Sequence, residues 1–224
     1  MIILAIDCAA SLCAACVYDT VAQKELGREV LDLGKGHAER LMSVIAQALQ
    51  HGGVAYGDLG AIAVSTGPGS FTGVRVGVST ARGLALALKI PAIGITTLEA
   101  LAAQAGQEFA GRAVLVALDA GRGEVHAAFY DEASVVRFGP AVTTLEQMIE
   151  MAGTASPVLA GTAAAKVAAA VGGSFQMGPA TATADIAVYA RLAAARGAGE
   201  KPHPVYLRAA DAKPQAGFVL PRVH

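Results

Sequence analysis

The chain has 224 residues and a formal net charge of −1, with 54% hydrophobic and 16% charged residues. This balance excludes a protein that attracts nucleic acid by bulk positive charge, so any contact with RNA would need a partner protein. The length is sufficient for one large domain or two small ones without disulfide support. A charged fraction below the usual value of about 25% leaves two interpretations open, a surface buried against a partner or an alanine-rich composition without patches.

The N-terminal sequence MIILAIDCAA has no basic segment and reaches Asp7 after a few apolar residues, which is not typical of a signal peptide. Arg75 and Arg82 interrupt the longest apolar stretch, so we expect no membrane-spanning segment. The sequence therefore predicts a cytoplasmic protein that does not contact a membrane.

Cys8, Cys13 and Cys16 follow the C-x4-C-x2-C spacing that is also found in iron-sulfur proteins. The chain has no fourth cysteine, and the segment alternates like a strand rather than wrapping like a loop. We therefore expect three small, reduced, buried thiols.

Hydrophobic periodicity predicts a regular series of strands and helices in the first half of the chain. The predicted elements are antiparallel strands at 2–6, around 16–18 and at 27–33, a helix at 38–50, a strand at 61–65, a helix at 72–88, a strand at 90–95, and a helix that starts with TTLEALA and is capped by Thr96 or Thr97.

The same order then begins again in the second half. The predicted elements are strands at 113–118, 124–130 and 135–138, a helix at 144–151, a strand at 158–160, and helices at 163–170 and 184–196. Three strands, a helix, a strand and a helix thus occur twice, and Asp7 and Asp119 close the first strand of each set. The sequence predicts an α/β protein with an internal structural duplication.

The helices at 38–50 and 72–88 have more apolar surface than one core contact requires. In the first helix the apolar positions cover an arc of about 160°. The second helix is apolar almost all round, with Arg75, Ser79 and Arg82 on a narrow polar arc. A central core helix and a helix that contacts a partner are both consistent with this pattern, and the excess on two successive helices favours the partner surface.

The turn GPGSFTG precedes the second helix, which Ser70 or Thr72 can cap. Such a turn can present N–H groups to an anion, but Val74 stands where a P-loop requires lysine, so a structural turn is the preferred interpretation. Asp7 and Asp119 suit a cleft in which a carboxylate positions a magnesium ion or water near phosphate. Asp7, Ser70 and Asp119 are therefore candidates for nucleotide binding.

Other catalytic chemistry has little support. The five histidines form no i, i+4 pair and no group with cysteine at metal-ligand spacing. The chain has no G-x-S-x-G motif, and Ser70 has no assignable histidine and aspartate companions. We predict no catalytic residue, no metal and no cofactor.

Several segments resemble, in the same order, the bacterial TsaB/YeaZ family. They are LAIDCAASLCAACVYD, KGHAERL, STGPGSFTGVRVGVSTARGLALAL, GITTLEALA, LDAGRGEVHAAFYD and PVYLR, and together they extend from residue 2 to about residue 208. The resemblance implies an actin-like fold (ASKHA, ribonuclease H-like) with two duplicated domains. We expect an N-terminal domain at 1–99, a C-terminal domain at 100–183, and a helix and tail at 184–224 that pack back toward the N-terminal domain.

The resemblance also implies a function in N6-threonylcarbamoylation of adenosine 37 in tRNAs that read ANN codons. In that family the protein is a non-catalytic paralogue of the catalytic subunit TsaD, it pairs with TsaD and the ATPase TsaE, and alone it forms a homodimer. Contact with tRNA is then expected through the complex alone. Carried over to this chain, the interface lies on the helices at 38–50 and 72–88, with candidate residues Leu41, Met42, Ile45, Leu49, Val74, Val78, Ala81, Arg82 and Ala85.

The chain departs from the family pattern at Cys8, where threonine is more frequent, and at 120–123, where the arginine-containing turn has an additional Gly121. Both positions belong to loops that would contact phosphate. An actin-fold ATPase that uses Asp7 and Asp119 is the alternative hypothesis, and a glycoprotease is the third.

Overall fold

The computed structural model describes residues 1–207. Its first part contains five strands and three helices, with a short 3-10 turn (Tyr56–Asp58) before the fourth strand. In chain order they are β1 (Ile2–Asp7), β2 (Leu12–Asp19), β3 (Lys24–Asp32), α1 (His37–Gly52), β4 (Leu59–Ser65), α2 (Phe71–Leu88), β5 (Ala92–Ile95) and α3 (Thr97–Glu108).

The second part repeats this order with four strands, and a final helix follows. The elements are β6 (Val114–Gly121), β7 (Glu124–Tyr130), β8 (Val136–Thr144), α4 (Leu145–Ala155), β9 (Val158–Ala160), α5 (Ala164–Val171) and α6 (Ile186–Arg196).

Two mixed sheets confirm the predicted duplication. The first has the strand order β3-β2-β1-β4-β5 and the second the order β8-β7-β6-β9. In both sheets the first three strands are antiparallel neighbours, and the strand that follows the first crossover helix lies parallel to the first strand. The predicted equivalence of the aspartates is close but not complete, because Asp7 ends β1 whereas Asp119 lies two residues before the end of β6.

The core is arranged in five layers. Alternate residues of β1 face opposite sides, with Leu4 and Ile6 packed against α1 and α2 and with Ile3 and Ala5 in the cluster that contains α3 and α6. The second sheet covers the other side of α3 and α6, and its outer face packs against α4 and α5. Helices α3 and α6 therefore lie between the two sheets.

Local signals in the sequence identified both predicted helix caps. The Ser70 hydroxyl accepts a hydrogen bond from the N–H of Gly73, and the Thr96 hydroxyl accepts one from Glu99. The predicted strand at 135–138 was too short, since β8 extends from Val136 to Thr144 and includes Gly139 and Pro140. Strand β8 lies at the edge of its sheet. An edge strand tolerates proline, because the position of the missing N–H can face solvent and no hydrogen bond to a neighbouring strand is lost.

Helix α6 packs against β1, β2, β4 and β5 of the first sheet and against α3. The domain boundaries at 99 and 183 remain a proposal, and the predicted tail beyond residue 207 lies outside the described residues. Among residues 1–207, no helix is long and apolar enough to span a membrane.

Candidate functional site

The turn between β4 and α2 packs tightly on the hairpin that joins β1 and β2. The N–H of Ser70 donates to the carbonyl of Ala9 at 2.7 Å. A Cβ atom at Gly69 would lie 2.2 Å from that carbonyl oxygen, and one at Gly73 would lie 2.0 Å from the carbonyl oxygen of Cys8. The glycines therefore serve a backbone-to-backbone contact, and this geometry agrees with a structural turn.

Asp7 lies in the interior beneath this hairpin. Its carboxylate accepts a hydrogen bond of 2.9 Å from the N–H of Ala9, and the residue is 2% exposed. Burial raises the pKa of the Asp7 carboxyl, and this effect outweighs the hydrogen bonds from Ala9, Ser65 and Thr183 that lower it. A group in this position is part of the buried polar structure and does not face a ligand cleft.

Asp119 has the opposite environment. Its exposed carboxylate forms an ion pair with Lys166 and accepts a hydrogen bond of 2.8 Å from the N–H of Gly121. The hydrogen bond from Lys166 is the main cause of a lowered pKa for Asp119. A magnesium ion at this carboxylate would have to compete with the lysine ammonium.

A cleft of about 780 Å³ separates the turn before α2 from the end of β6. Its wall includes Ser70 and Asp119, but not Asp7. The structure thus brings two of the three candidates for nucleotide binding to one cavity and leaves the third in the core. The size is within the usual range for small-molecule sites.

An aromatic pair at the mouth of this cleft was not identified from the sequence. The Arg75 guanidinium lies 3.5 Å from the centre of the Phe71 ring, and its Nε donates to the Tyr206 hydroxyl at 2.6 Å. Phe71 and Tyr206 are 60% and 51% exposed. These contacts hold Arg75 in a fixed orientation, and the sequence signal for them was the i, i+4 spacing of Phe71 and Arg75.

The three cysteines lie in the core as free thiols, as predicted. Cys8 and Cys13 belong to the cluster beneath α1 and α2, with their sulfur atoms 3.9 Å apart, whereas Cys16 belongs to the cluster on the other side of the sheet. Side chains on opposite faces of a sheet cannot ligate one cluster. Residues 1–207 contain no group of three or more His, Cys, Asp or Glu side chains that could hold a metal ion.

The structure corrects most of the predicted interface residues. Seven of the nine are buried in the core of the chain itself: Leu41, Ile45, Leu49, Val74, Val78, Ala81 and Ala85. The apolar stripes of α1 and α2 face their own sheet, because the two helices together cover one of its faces. Met42, which is 48% exposed, and Arg82 remain at the surface.

Helix α2 still has an exposed face, on different residues. At 100° per residue the exposed positions cover an arc of about 160°. They include the two large apolar side chains Phe71 and Leu86, the latter 81% exposed, together with Ser79, Gly83 and Ala87. Although α2 is apolar almost all round in sequence, the described part of the chain therefore buries only one side of it.

The duplicated sheets define an actin-like protein of the ASKHA type, and comparison with known proteins agrees. A family model for TsaD, tRNA N6-adenosine threonylcarbamoyltransferase, matches residues 32–198. The TsaB protein of Escherichia coli is 39% identical over 133 residues, which cover 58% of this chain and 55% of that protein. The chain thus matches little more than half the length of this relative. TsaB of Bacillus subtilis is 42% identical over 44% of this chain and 42% of its own length.

Solved structures extend the similarity to nearly the whole chain. YeaZ from Pseudomonas aeruginosa superposes with a TM-score of 0.72 at 28% identity, covering 92% of this chain and 100% of that one. A polyphosphate/ATP-glucomannokinase from an Arthrobacter strain shares the fold at 13% identity, with a TM-score of 0.51 over 88% of this chain and 99% of its own. The chain belongs to the TsaB/YeaZ family.

Proposed function

We propose that this chain is a non-catalytic subunit required for N6-threonylcarbamoylation of adenosine 37 in ANN-decoding tRNAs. In this proposal it pairs with a TsaD-like catalytic subunit through the outer face of α1 and α2, a TsaE-like ATPase joins the pair, and tRNA binds to the complex in the cytoplasm. Alone, the chain forms a homodimer.

The observation that carries the proposal is the outer face of α2. Leu86 is a large apolar side chain at 81% exposure, although the stripe that covers the sheet lies on the other side of the helix. Gly83 beside it has open space where a Cβ atom would lie. A protruding leucine next to small residues is suited to close helix packing by another protein. The names of the relatives, which are tRNA threonylcarbamoyladenosine biosynthesis proteins, supply the reaction.

Co-purification of the tagged chain with the TsaD-like and TsaE-like proteins of the same bacterium tests this proposal. Leu86→Glu should abolish recovery of the TsaD-like subunit, because it places a charge in an apolar contact. Val21→Glu is the matched control, since Val21 is 82% exposed on the turn after β2. Equal recovery with both variants would contradict the proposed interface.

The cleft supports a second candidate, an actin-fold ATPase or nucleotide-binding enzyme. Its volume of about 780 Å³ and the presence of Asp119 favour a small ligand, while the burial of Asp7 and the Lys166 ion pair weigh against magnesium-dependent chemistry. Calorimetric titration of the isolated chain with ATP and magnesium decides between them. Tight binding that Asp119→Asn abolishes would favour the enzyme.

A further inference from the structure

Cys8 and Cys13 lie opposite each other at the base of the hairpin that joins β1 and β2. Asp7 pairs with Ala14 in the antiparallel register, so the next opposite pair is Cys8 with Cys13. Both side chains belong to the cluster beneath α1 and α2, and their sulfur atoms are 3.9 Å apart. Opposite residues of an antiparallel pair have Cα atoms about 4.5–5.5 Å apart, a range in which a disulfide can form. The two thiols are therefore placed for a bond across the hairpin.

The two thiols share a hydrogen bond, which makes them chemically unequal. This bond raises the pKa of the Cys8 thiol and lowers the pKa of the Cys13 thiol. The thiolate is the form that reacts with oxidants, so Cys13 is the nucleophile of the pair. Cys16, the third cysteine, lies on the other face of the sheet and cannot join either of them.

The pair is buried beneath the tip of the hairpin, which residues 9–12 form. Within this tip Ser11 is exposed, and Ala9 and Ala10 line the cleft described above. Hydrogen peroxide is little larger than a water molecule. A small local opening of the tip therefore admits hydrogen peroxide, while a bulky reagent stays outside.

We propose that Cys8 and Cys13 are a site of covalent modification, a dithiol that hydrogen peroxide converts to a disulfide. The Cys13 sulfur attacks one oxygen of hydrogen peroxide and the O–O bond breaks. Hydroxide leaves and takes up the Cys13 proton as water, and Cys13 becomes a sulfenic acid. The Cys8 sulfur then attacks the Cys13 sulfur, the S–O bond breaks, and the Cys8 proton leaves with the hydroxide as water. Overall, two thiols are oxidised to one disulfide, and hydrogen peroxide is reduced to two molecules of water.

A disulfide at this site changes the contact between the hairpin and α2. The two sulfur atoms must approach from 3.9 Å to about 2 Å. Cys13 belongs to β2, which lies on the other side of β1 from β4, the strand that leads into α2. The bond therefore draws the backbone of Cys8 and Ala9 away from the start of α2. The carbonyl of Ala9 accepts a hydrogen bond of 2.7 Å from the N–H of Ser70, and we expect oxidation to weaken it.

The test treats the purified chain with about 1 mM hydrogen peroxide near neutral pH, stops the reaction with catalase, and unfolds the chain in an alkylating reagent. Peptide mass spectrometry without reduction then determines the state of each cysteine. We expect a crosslink between Cys8 and Cys13, with Cys16 alkylated. Cys16→Ala is the matched control and should form the crosslink at a rate within about twofold of the unmodified chain. Cys8→Thr should leave Cys13 as a sulfenic or sulfinic acid.

Hydrogen exchange measured by nuclear magnetic resonance reports on the start of α2. The N–H of Ser70 should exchange about tenfold faster in the crosslinked chain, because its hydrogen bond to Ala9 is weakened. The amides of α5, which lies far from the hairpin in the second part of the fold, should not change. A circular dichroism spectrum equal to that of the unmodified chain confirms that each variant is folded.

Sulfinic acid on Cys8 or Cys13 without a crosslink would overturn the proposal, as would a crosslink to Cys16 or between two copies of the chain. Three reduced thiols after peroxide treatment would also overturn it and would show that the pair only packs in the core. An unchanged exchange rate at Ser70 in the crosslinked chain would overturn the effect on α2. The proposed function does not depend on these results, because it rests on the outer face of α2.

Discussion

Gly73 lies directly against the carbonyl oxygen of Cys8, so close that a Cβ atom at this position would be 2.0 Å from it. This contact fixes the start of α2 against the hairpin between β1 and β2. The carbonyl belongs to buried backbone and cannot move away as a flexible side chain could.

Gly73→Ala should therefore lower the free energy of unfolding by more than about 2 kcal/mol, because the helix start must shift. Gly83→Ala is the matched control in the same helix, with open space where its Cβ would lie. It should raise the stability of the isolated chain by about 0.5–1 kcal/mol, as alanine replaces glycine in a helix interior. Urea unfolding followed by circular dichroism measures both, and equal effects would refute this explanation of the turn.

Leu41 and Met42 are neighbours in sequence with opposite roles. Leu41 is 1% exposed within the core, so Leu41→Ala should destabilise the chain by about 2–5 kcal/mol. Met42→Ala should change stability by less than about 1 kcal/mol, since Met42 is half-exposed on the other side of α1. The same urea titration compares the two, and a small effect of Leu41→Ala would restore it as an interface candidate.

Because Asp7 is buried, the free energy of unfolding should fall as pH rises. Burial raises its pKa in the folded state, so the folded chain binds the proton more tightly than the unfolded chain does. The full contribution of this group to the free energy of unfolding is present at a pH below its pKa in the unfolded chain. The contribution is lost as pH rises through its pKa in the folded chain. Asp7→Asn keeps an acceptor for Ala9, so the gain in stability of this variant over the unmodified chain should grow from about pH 4 to about pH 7.

Asp119→Asn is the contrasting variant. Lys166 lowers the pKa of Asp119, so the stability contributed by this group is present above its unfolded pKa and lost as pH falls through the folded pKa. The Asn variant should therefore be slightly less stable than the unmodified chain at neutral pH, and the difference should shrink in acid. Thermal unfolding across this pH range checks both variants, and parallel pH profiles for the two would contradict the assigned environments.

The three thiols should be unreactive toward a bulky reagent in the folded chain. The hydrogen bond with Cys13 and burial raise the pKa of the Cys8 thiol, and burial raises that of Cys16. The hydrogen bond with Cys8 lowers the pKa of the Cys13 thiol, but this side chain is fully buried and out of reach of such a reagent in solution. Ellman's reagent near pH 8 should therefore label no cysteine until denaturant is added. Rapid labelling under native conditions would show that the hairpin opens.

Much of the fold could be predicted because its signals are local. The repeated strand and helix order revealed the duplication, and Ser70 and Thr96 marked helix starts through their hydrogen-bonding capacity. The end of β8 could not be predicted in this way, because the meaning of Gly139 and Pro140 depends on β8 being an edge strand. That position is set by the assembled sheet.

The candidate site was harder to predict for a related reason. Periodicity reveals that a helix face is apolar, but it does not reveal whether the chain's own sheet or another protein covers it. Val78 and Leu86 both suggest burial, yet one is 2% exposed and the other 81%. The polar arc of Arg75, Ser79 and Arg82, which are all exposed, was the available signal for the outward side of α2.

The most direct test of the central claim is the content of N6-threonylcarbamoyladenosine in tRNA, measured by mass spectrometry in the source bacterium. The chromosomal copy is replaced by the unmodified gene, by Leu86→Glu or by Val21→Glu under controlled expression. The account predicts normal modification with the unmodified chain and Val21→Glu, and a severe loss with Leu86→Glu at equal protein abundance. Normal modification in the Leu86→Glu strain would contradict the claim that the outer face of α2 binds the catalytic partner.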